Sequence, residues 1–517
     1  MVNKTTARPP QGGAAPESDD RAVFSVAFYL RQILRHVLFA VTCGIVCGLG
    51  SVLLCVCVGF ARHTFLAHHW LLWALPLLGV GQLLLYKAWK LPQDTTTESV
   101  VRNIRLGNRT SGLLAPGILV ATCMTILGGG AVGKEAGALQ MGASLGATVS
   151  RPFHLRDILN RNGDADGRGI HSCVAATGMA AEFAALFFSP LGSGILVLEL
   201  LGFSQLRFLV DMLIACFTAY GVARIFNIGD IIMKVPIPQI DWKIVGICII
   251  VGVCAAFFGT VFVSLVRFIQ DLTRRVYKNY MMWAVVGALI FAVVVATTGW
   301  WDFTGSGGAM LNTILVDGKN VSWAFAIKML LVVLCLGFWL KGGEIMPSLC
   351  IGGLLGSACT VMTGTDPLFG AALGAMCFFA AVERVPAAAF FMGCEIFGWS
   401  MAPMLAISVF VAFMFSYPVG IYGAGLDLVA RFRWRLLKQR VLLHDLDDTA
   451  NTDRGPFDNI IQASRAIKRV LAGQRPDETV VEPDYVLHAL PDGQKPQNKA
   501  DSTPPDTTRK ASKPPRS

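Results

Sequence analysis

The chain has 517 residues, 54% of them hydrophobic and 15% charged, whereas a soluble globular protein carries about 25% charged residues. A mean hydropathy of +0.56 argues against a water-soluble enzyme or binding domain of this size and points to a body that lies in lipid. The net charge of +10 sits beside apolar runs, so it reads as membrane orientation and not as nucleic-acid binding.

In chain order, residues 1–35 read as a polar, disordered arm. Pro9, Pro10, Gly12 and Gly13 break regular structure there, and no early apolar stretch marks a secretory signal. Arg21, Arg31 and Arg35 stand just before the first apolar run. Apolar segments then recur over 38–60, 113–127, 244–266, 283–297 and 323–340, against the roughly 20 residues that one span requires. Some are short or interrupted by glycine, which predicts tilted and incomplete helices. Their bare backbone must face a protein-buried cavity, because lipid satisfies no peptide group. The body is read as 36–440, with halves of about 36–205 and 243–410. The loop 151–168 adds Arg156 and Arg161, and Arg431, Arg433, Arg435, Lys438 and Arg440 follow the last apolar run. By the positive-inside rule these basic regions and both termini face the cytoplasm. Residues 441–517 form a polar tail, largely disordered, with one amphipathic stretch at 460–471. The tail is too short and too polar for paired regulatory domains. The 14 cysteines lie inside the body without a CxxC pair, so they read as packing residues, and the sequence calls for no metal or cofactor.

An internal repeat is visible. Pro190, Glu199 and Gly202 are matched at identical spacing by Pro386, Glu395 and Gly398. A looser match sets Gly133-Lys134-Glu135 against Gly342-Gly343-Glu344, each before a glycine-rich helix. Repeats of this kind are common in transporters and place the site near the membrane midplane.

The segment from Gly128 to Gly137 carries the chemistry. Glu135 and Lys134 sit mid-body, where a charge costs about 2.5–3.5 kcal/mol on insertion scales. The surrounding glycines let backbone N–H groups approach a ligand, and the helix that starts here offers the positive end of its dipole. Glu135 is then a tethered anion, able to fill an anion site and to leave it when protonated. In Gly343-Glu344-Ile345-Met346-Pro347, the proline suits a first helical turn, so Gly343, Glu344, Ile345 and Met346 present a second set of N–H donors.

These motifs resemble those of the CLC family. Gly133-Lys134-Glu135-Ala136-Gly137 is similar to its G(K/R)EGP motif and Gly343 to Pro347 to its GxFxP motif. Gly305-Ser306-Gly307, Ala176-Thr177-Gly178, Pro190-Leu191 and Glu199 follow in family order. The resemblance implies an all-α polytopic membrane protein, not an enzyme. It implies an inverted repeat of tilted and broken helices and a homodimer with one pore per subunit. It also implies transport of chloride or a related small anion. Carried over by position, Glu135 is the gating glutamate. Gly133, Lys134, Ala136, Gly137, Gly343, Glu344, Ile345 and Met346 surround the anion. Tyr422, with Tyr417 as its competitor, supplies a pore hydroxyl.

The departures matter too. The family's first-half serine motif is missing, and Thr95 or Thr96 is the nearest hydroxyl. Gly137 and Ile345 replace the motif proline and phenylalanine, and Glu344 brings an acid beside an anion site. The second glutamate that often follows the conserved one is Leu200 here, leaving Glu182 and Glu344 as substitute proton acceptors. Three readings follow: chloride/proton exchange, a passive chloride channel, and fluoride as cargo. The expected location is the plasma membrane.

Overall fold

The computed structural model describes residues 18–155, 168–203, 205–228, 235–308, 310, 323–417 and 420–421. Its regular elements are α-helices with short 3-10 turns between them. The first half holds α1 Ser18–Ala67, α2 Leu75–Ala88, α3 Thr97–Arg105, α4 Leu114–Leu127, α5 Glu135–Val149, α6 Arg168–Phe187, α7 Pro190–Leu200 and α8 Leu209–Phe226. The second half holds α9 Trp242–Val276, α10 Tyr280–Thr298, α11 Ala324–Gly337, α12 Ile345–Met362, α13 Pro367–Glu383, α14 Pro386–Phe397 and α15 Ala402–Phe415. Helix α1 covers Ser18–Ala67 and so overlaps the stretch expected to be a polar arm over 1–35. The segment 460–471, the rest of the tail, Arg156, Arg161 and the basic run after 430 lie outside the described residues.

Among the described residues, seven helical segments are long and apolar enough to cross a bilayer. Their lengths are uneven for a physical reason. The 35 residues of α9 extend about 52 Å at 1.5 Å per residue, well beyond a hydrocarbon core of about 30 Å, so α9 tilts or runs past the core into the headgroups. The 14 residues of α4 and of α11 give about 21 Å each, too little to cross alone. Short helices that stop inside the membrane leave their termini facing other protein, as the glycine interruptions predict.

The two halves are built alike and meet head to head. Gly133 N–H donates to Gly343 O at 2.6 Å, and Gly343 N–H returns a bond to Gly133 O at 2.7 Å. The bridge is antiparallel, so the backbones entering α5 and α12 run in opposite directions. The spaced Pro-Glu-Gly match also has a structural meaning. Glu199, near the end of α7, accepts from Ala387 N–H at 3.1 Å and Ala388 N–H at 2.7 Å, in the first turn of α14. Glu395, near the end of α14, accepts from Leu191 N–H at 3.1 Å and Gly192 N–H at 2.8 Å, in the first turn of α7, and from Ser189 Oγ. Each carboxylate caps the other half's helix, satisfying donors that have no intrahelical partner.

Close backbone approach explains the glycine-rich helices. A Cβ on Gly178 of α6 would collide with Gly142 O, and one on Gly356 of α12 would collide with Gly370 O of α13. Lipid tails provide no hydrophobic drive to pair helices, so contact through small residues does that work.

Candidate anion site

Helix α5 starts at Glu135 and α12 at Ile345. The first backbone bonds of these helices run from Ala138 N–H to Lys134 O at 2.9 Å and from Ser348 N–H to Glu344 O at 2.8 Å. The N–H groups of Ala136, Gly137 and Met346 therefore precede each ladder, and Pro347 has none to spare. The Gly133–Gly343 bridge brings these two helix starts together. Glu135 is 1% exposed, and its carboxylate lies in this junction. A Cβ on Gly133 would collide with Glu135 Oε2, and it would stand 2.9 Å from Pro347 Cδ and 3.2 Å from Met346 Cβ. A carboxylate thus occupies the place where two positive helix ends converge. Lys134 and Glu344 are the N-cap residues of the two helices. On the Gly343 side the backbone is tight, since an added Cβ would sit 2.7 Å from Ala136 N.

A cavity opens beside this junction. Thr95, Thr96, Gln140, Arg267, Lys341 and Glu344 line it, with Ile421 on one wall. Helix α3 points its N-terminus into the cavity, as the altered serine motif would require, but its hydroxyls are engaged locally. Thr95 Oγ1 donates to Pro92 O at 2.6 Å. Thr96 Oγ1 accepts from Ser99 N–H at 3.3 Å in a capping box. The buried hydroxyl is that of the next residue, Thr97, which accepts from Gln140 Nε2 at 3.0 Å.

Several residues here were not singled out from the sequence. The ammonium of Lys341 donates to Gln93 O and Thr95 O, both at 2.7 Å, and lies 4.9 Å from the Tyr86 ring centroid. It fixes the turn before α3 to the approach to α12. Gln82 Oε1 accepts from Lys341 N–H at 3.1 Å and Thr125 Oγ1 at 3.0 Å, joining α2 and α4 to the same point. On the other side of the bridge, Lys328 is fully buried and donates to Phe303 O at 2.8 Å and Gly305 O at 2.6 Å. It thereby holds the Gly305-Ser306-Gly307 turn, and Gly305 N–H reaches Gly129 O at 3.3 Å. A buried lysine in an apolar run was the available signal for both, since such a charge persists only when paired.

Glu182 is apart from the cavity. It is 0% exposed on α6 and faces α1 at Cys43, Cys47 and Ser51. Its buried carboxylate lies against the Cys47 and Ser51 side chains, and Ser51 Oγ donates to the Glu182 backbone carbonyl at 2.9 Å. A Cβ on Gly142 would stand 2.8 Å from Glu182 Cβ, and Gly142 is seven residues along α5 from Glu135, about 10 Å of rise. Tyr417 is half-buried and its N–H donates to Thr260 Oγ1 at 3.0 Å. Tyr422, the favoured pore tyrosine, lies outside the described residues.

Comparison with known proteins agrees with this architecture. The family described as voltage gated chloride channel matches residues 84–417. A protein of Pseudomonas syringae named "Chloride/fluoride channel protein" is 26% identical over 76% of this chain and 87% of its own length. The "H(+)/Cl(-) exchange transporter ClcA" of Vibrio cholerae is 27% identical over 51% of this chain and 58% of its own length. Among solved structures, a CLC-type fluoride/proton antiporter superposes with a TM-score of 0.69 at 22% identity, covering 76% of this chain and 98% of its own. A slow cyanobacterial chloride/proton antiporter gives a TM-score of 0.62 at 17% identity over 79% of this chain and 99% of its own. At those identities the two structures speak to the fold.

Proposed function

The chain belongs to the voltage gated chloride channel family, and on that premise we propose that it exchanges a small anion for protons, with Glu135 as the gate. It is an integral multi-pass membrane protein that carries anions through a CLC-type pore. The observation that carries the proposal is the Glu135 carboxylate lying where the starts of α5 and α12 converge. A carboxylate in that position competes with a free anion for the same donors. Protonation removes its charge and with it the attraction of the helix ends, so a proton bound by Glu135 and an anion bound at the junction favour each other. Gly133, Lys134, Ala136, Gly137, Gly343, Ile345 and Met346 form the anion's surroundings in this reading, and Tyr422 supplies a hydroxyl. Glu344 and Glu182 are the acids through which protons pass in place of the second glutamate, whose position Leu200 holds.

Fluoride is the second reading of the cargo. It is supported by the local engagement of the Thr95 hydroxyl and by relatives whose names include fluoride. The basic residues Arg21, Arg31 and Arg35 support a cytoplasmic N-terminus. Family membership supports a homodimer, one pore per subunit and a plasma-membrane location. Residues 36–440 are the transport unit of this account.

The test is proton uptake driven by an anion gradient in vesicles. Glu135→Gln abolishes gradient-driven proton uptake while anion efflux continues. Proton uptake that survives in Glu135→Gln removes Glu135 from the gate.

A further inference from the structure

Glu383 is the last residue of α13, and from sequence it reads only as part of a helix connection. It is 0% exposed, and neither carboxylate oxygen has a hydrogen-bond partner. An ionised side chain in such a place is costly unless paired or used. The charged group that acts on it is the Glu344 carboxylate, which lines the cavity. Helix α12 leaves the junction and α13 returns to it, so the two acids stand at the same end of this helix pair.

Among the described residues, the surrounding elements give Glu383 no counter-charge. Arg384 follows it in sequence, but at φ 62° the chain turns, and the guanidinium donates to Phe413 O and Ser416 Oγ, both at 2.6 Å. Arg267 of α9 donates to Gly420 O. From α15 the facing polar group is Ser416, already engaged by Arg384. Glu383 adjoins the cavity through its backbone. A Cβ on Gly420 would stand 3.0 Å from Glu383 O, and the cavity-lining Ile421 donates its N–H to Val382 O at 2.9 Å.

The repeat shows that the fold does not require these acids. Aligning Pro190 with Pro386 sets Phe187 against Glu383 and Phe188 against Arg384. The second pair shares a left-handed backbone, φ 53° and 62°. The bridge pairs Gly133 with Gly343 and the helices start at Glu135 and Ile345, one residue off the match read from the sequence, which sets Lys134 against Glu344. The first half therefore fills the same two positions with a phenylalanine and a lysine.

We propose that Glu383 is a proton-accepting residue of this exchanger, taking a proton from cavity water and handing it to Glu344. A hydronium ion of the cavity water gives its proton to a Glu383 carboxylate oxygen, leaving neutral water and forming an O–H bond on Glu383. That bond breaks as the Glu344 carboxylate takes the proton, which restores the Glu383 carboxylate, and no other bond changes. Repulsion between two carboxylates in a low-dielectric site favours one proton held between them.

The inference rests on the exchange reading, and one experiment separates the two. Full-length protein in phosphatidylethanolamine–phosphatidylglycerol vesicles is driven by a chloride gradient and, separately, a fluoride gradient, with proton uptake and anion efflux recorded together. Glu383→Gln lowers proton uptake about 100-fold, the scale of a positioned proton-transfer group, and leaves anion efflux nearly intact. Glu383→Asp keeps a carboxylate and restores part of the uptake. Full uptake in Glu383→Gln overturns this proposal and leaves the exchange reading standing. Equal loss of both fluxes in both variants marks a packing residue and also overturns it. Wild-type protein that moves anions without protons overturns the exchange reading and this proposal with it.

Discussion

Replacing Glu395 by alanine removes the acceptor for Leu191 N–H, Gly192 N–H and Ser189 Oγ at the start of α7. The serine hydroxyl can rotate to another acceptor, but the two backbone donors cannot. A buried donor left unpaired costs about 1–3 kcal/mol. The site is part-buried, so the lower part of that range applies and Glu395→Ala loses about 2–4 kcal/mol. That is a large share of a typical stability of about 5–15 kcal/mol. Glu395→Gln keeps one acceptor and turns an amide N–H toward the other donor, so its loss is smaller. Glu199→Ala loses the matching bonds to Ala387 and Ala388 and behaves alike. The assay is denaturant unfolding of the purified protein in detergent, followed by tryptophan fluorescence. Stability within about 0.5 kcal/mol of wild type, the range of an ordinary surface change, in both alanine variants would refute the reciprocal-cap account.

Two further predictions concern the membrane body. Gly178→Ala forces the α5–α6 pair apart at Gly142 O and destabilises the protein by about 1–3 kcal/mol, as overpacking does; denaturation in detergent reads the loss, and wild-type stability would contradict the contact. Glu182→Gln lowers proton flux more than anion flux if the residue relays protons, and paired flux recordings in vesicles check this. Equal loss of both fluxes would make Glu182 a packing residue between α1 and α6.

The parts of the site legible in the sequence are those that depend on backbone. Gly133 through Gly137 and Gly343 through Pro347 mark helix starts because glycine and proline carry conformational information in their identity, and the structure brings these starts together. The Pro-Glu-Gly match revealed the repeat, and the helix caps supply its reason. What stayed hidden depends on which side chains meet. Lys341 reads as a residue beside a motif until its ammonium is seen between Gln93 O and Thr95 O. Glu383 next to Arg384 reads as part of a helix connection, and the left-handed turn at Arg384 sends the guanidinium to Phe413 O and Ser416 Oγ instead. Thr95 and Thr96 read as available hydroxyls, yet sequence does not reveal that the turn at Pro92 engages the first and the α3 capping box the second.

The most direct test of proton-coupled anion exchange is the reversal potential of purified wild-type protein in a planar bilayer under an anion gradient, measured with and without a pH gradient. The account predicts a reversal potential that moves when the pH gradient is added. A value that follows the anion gradient alone would contradict it and make the protein a passive channel.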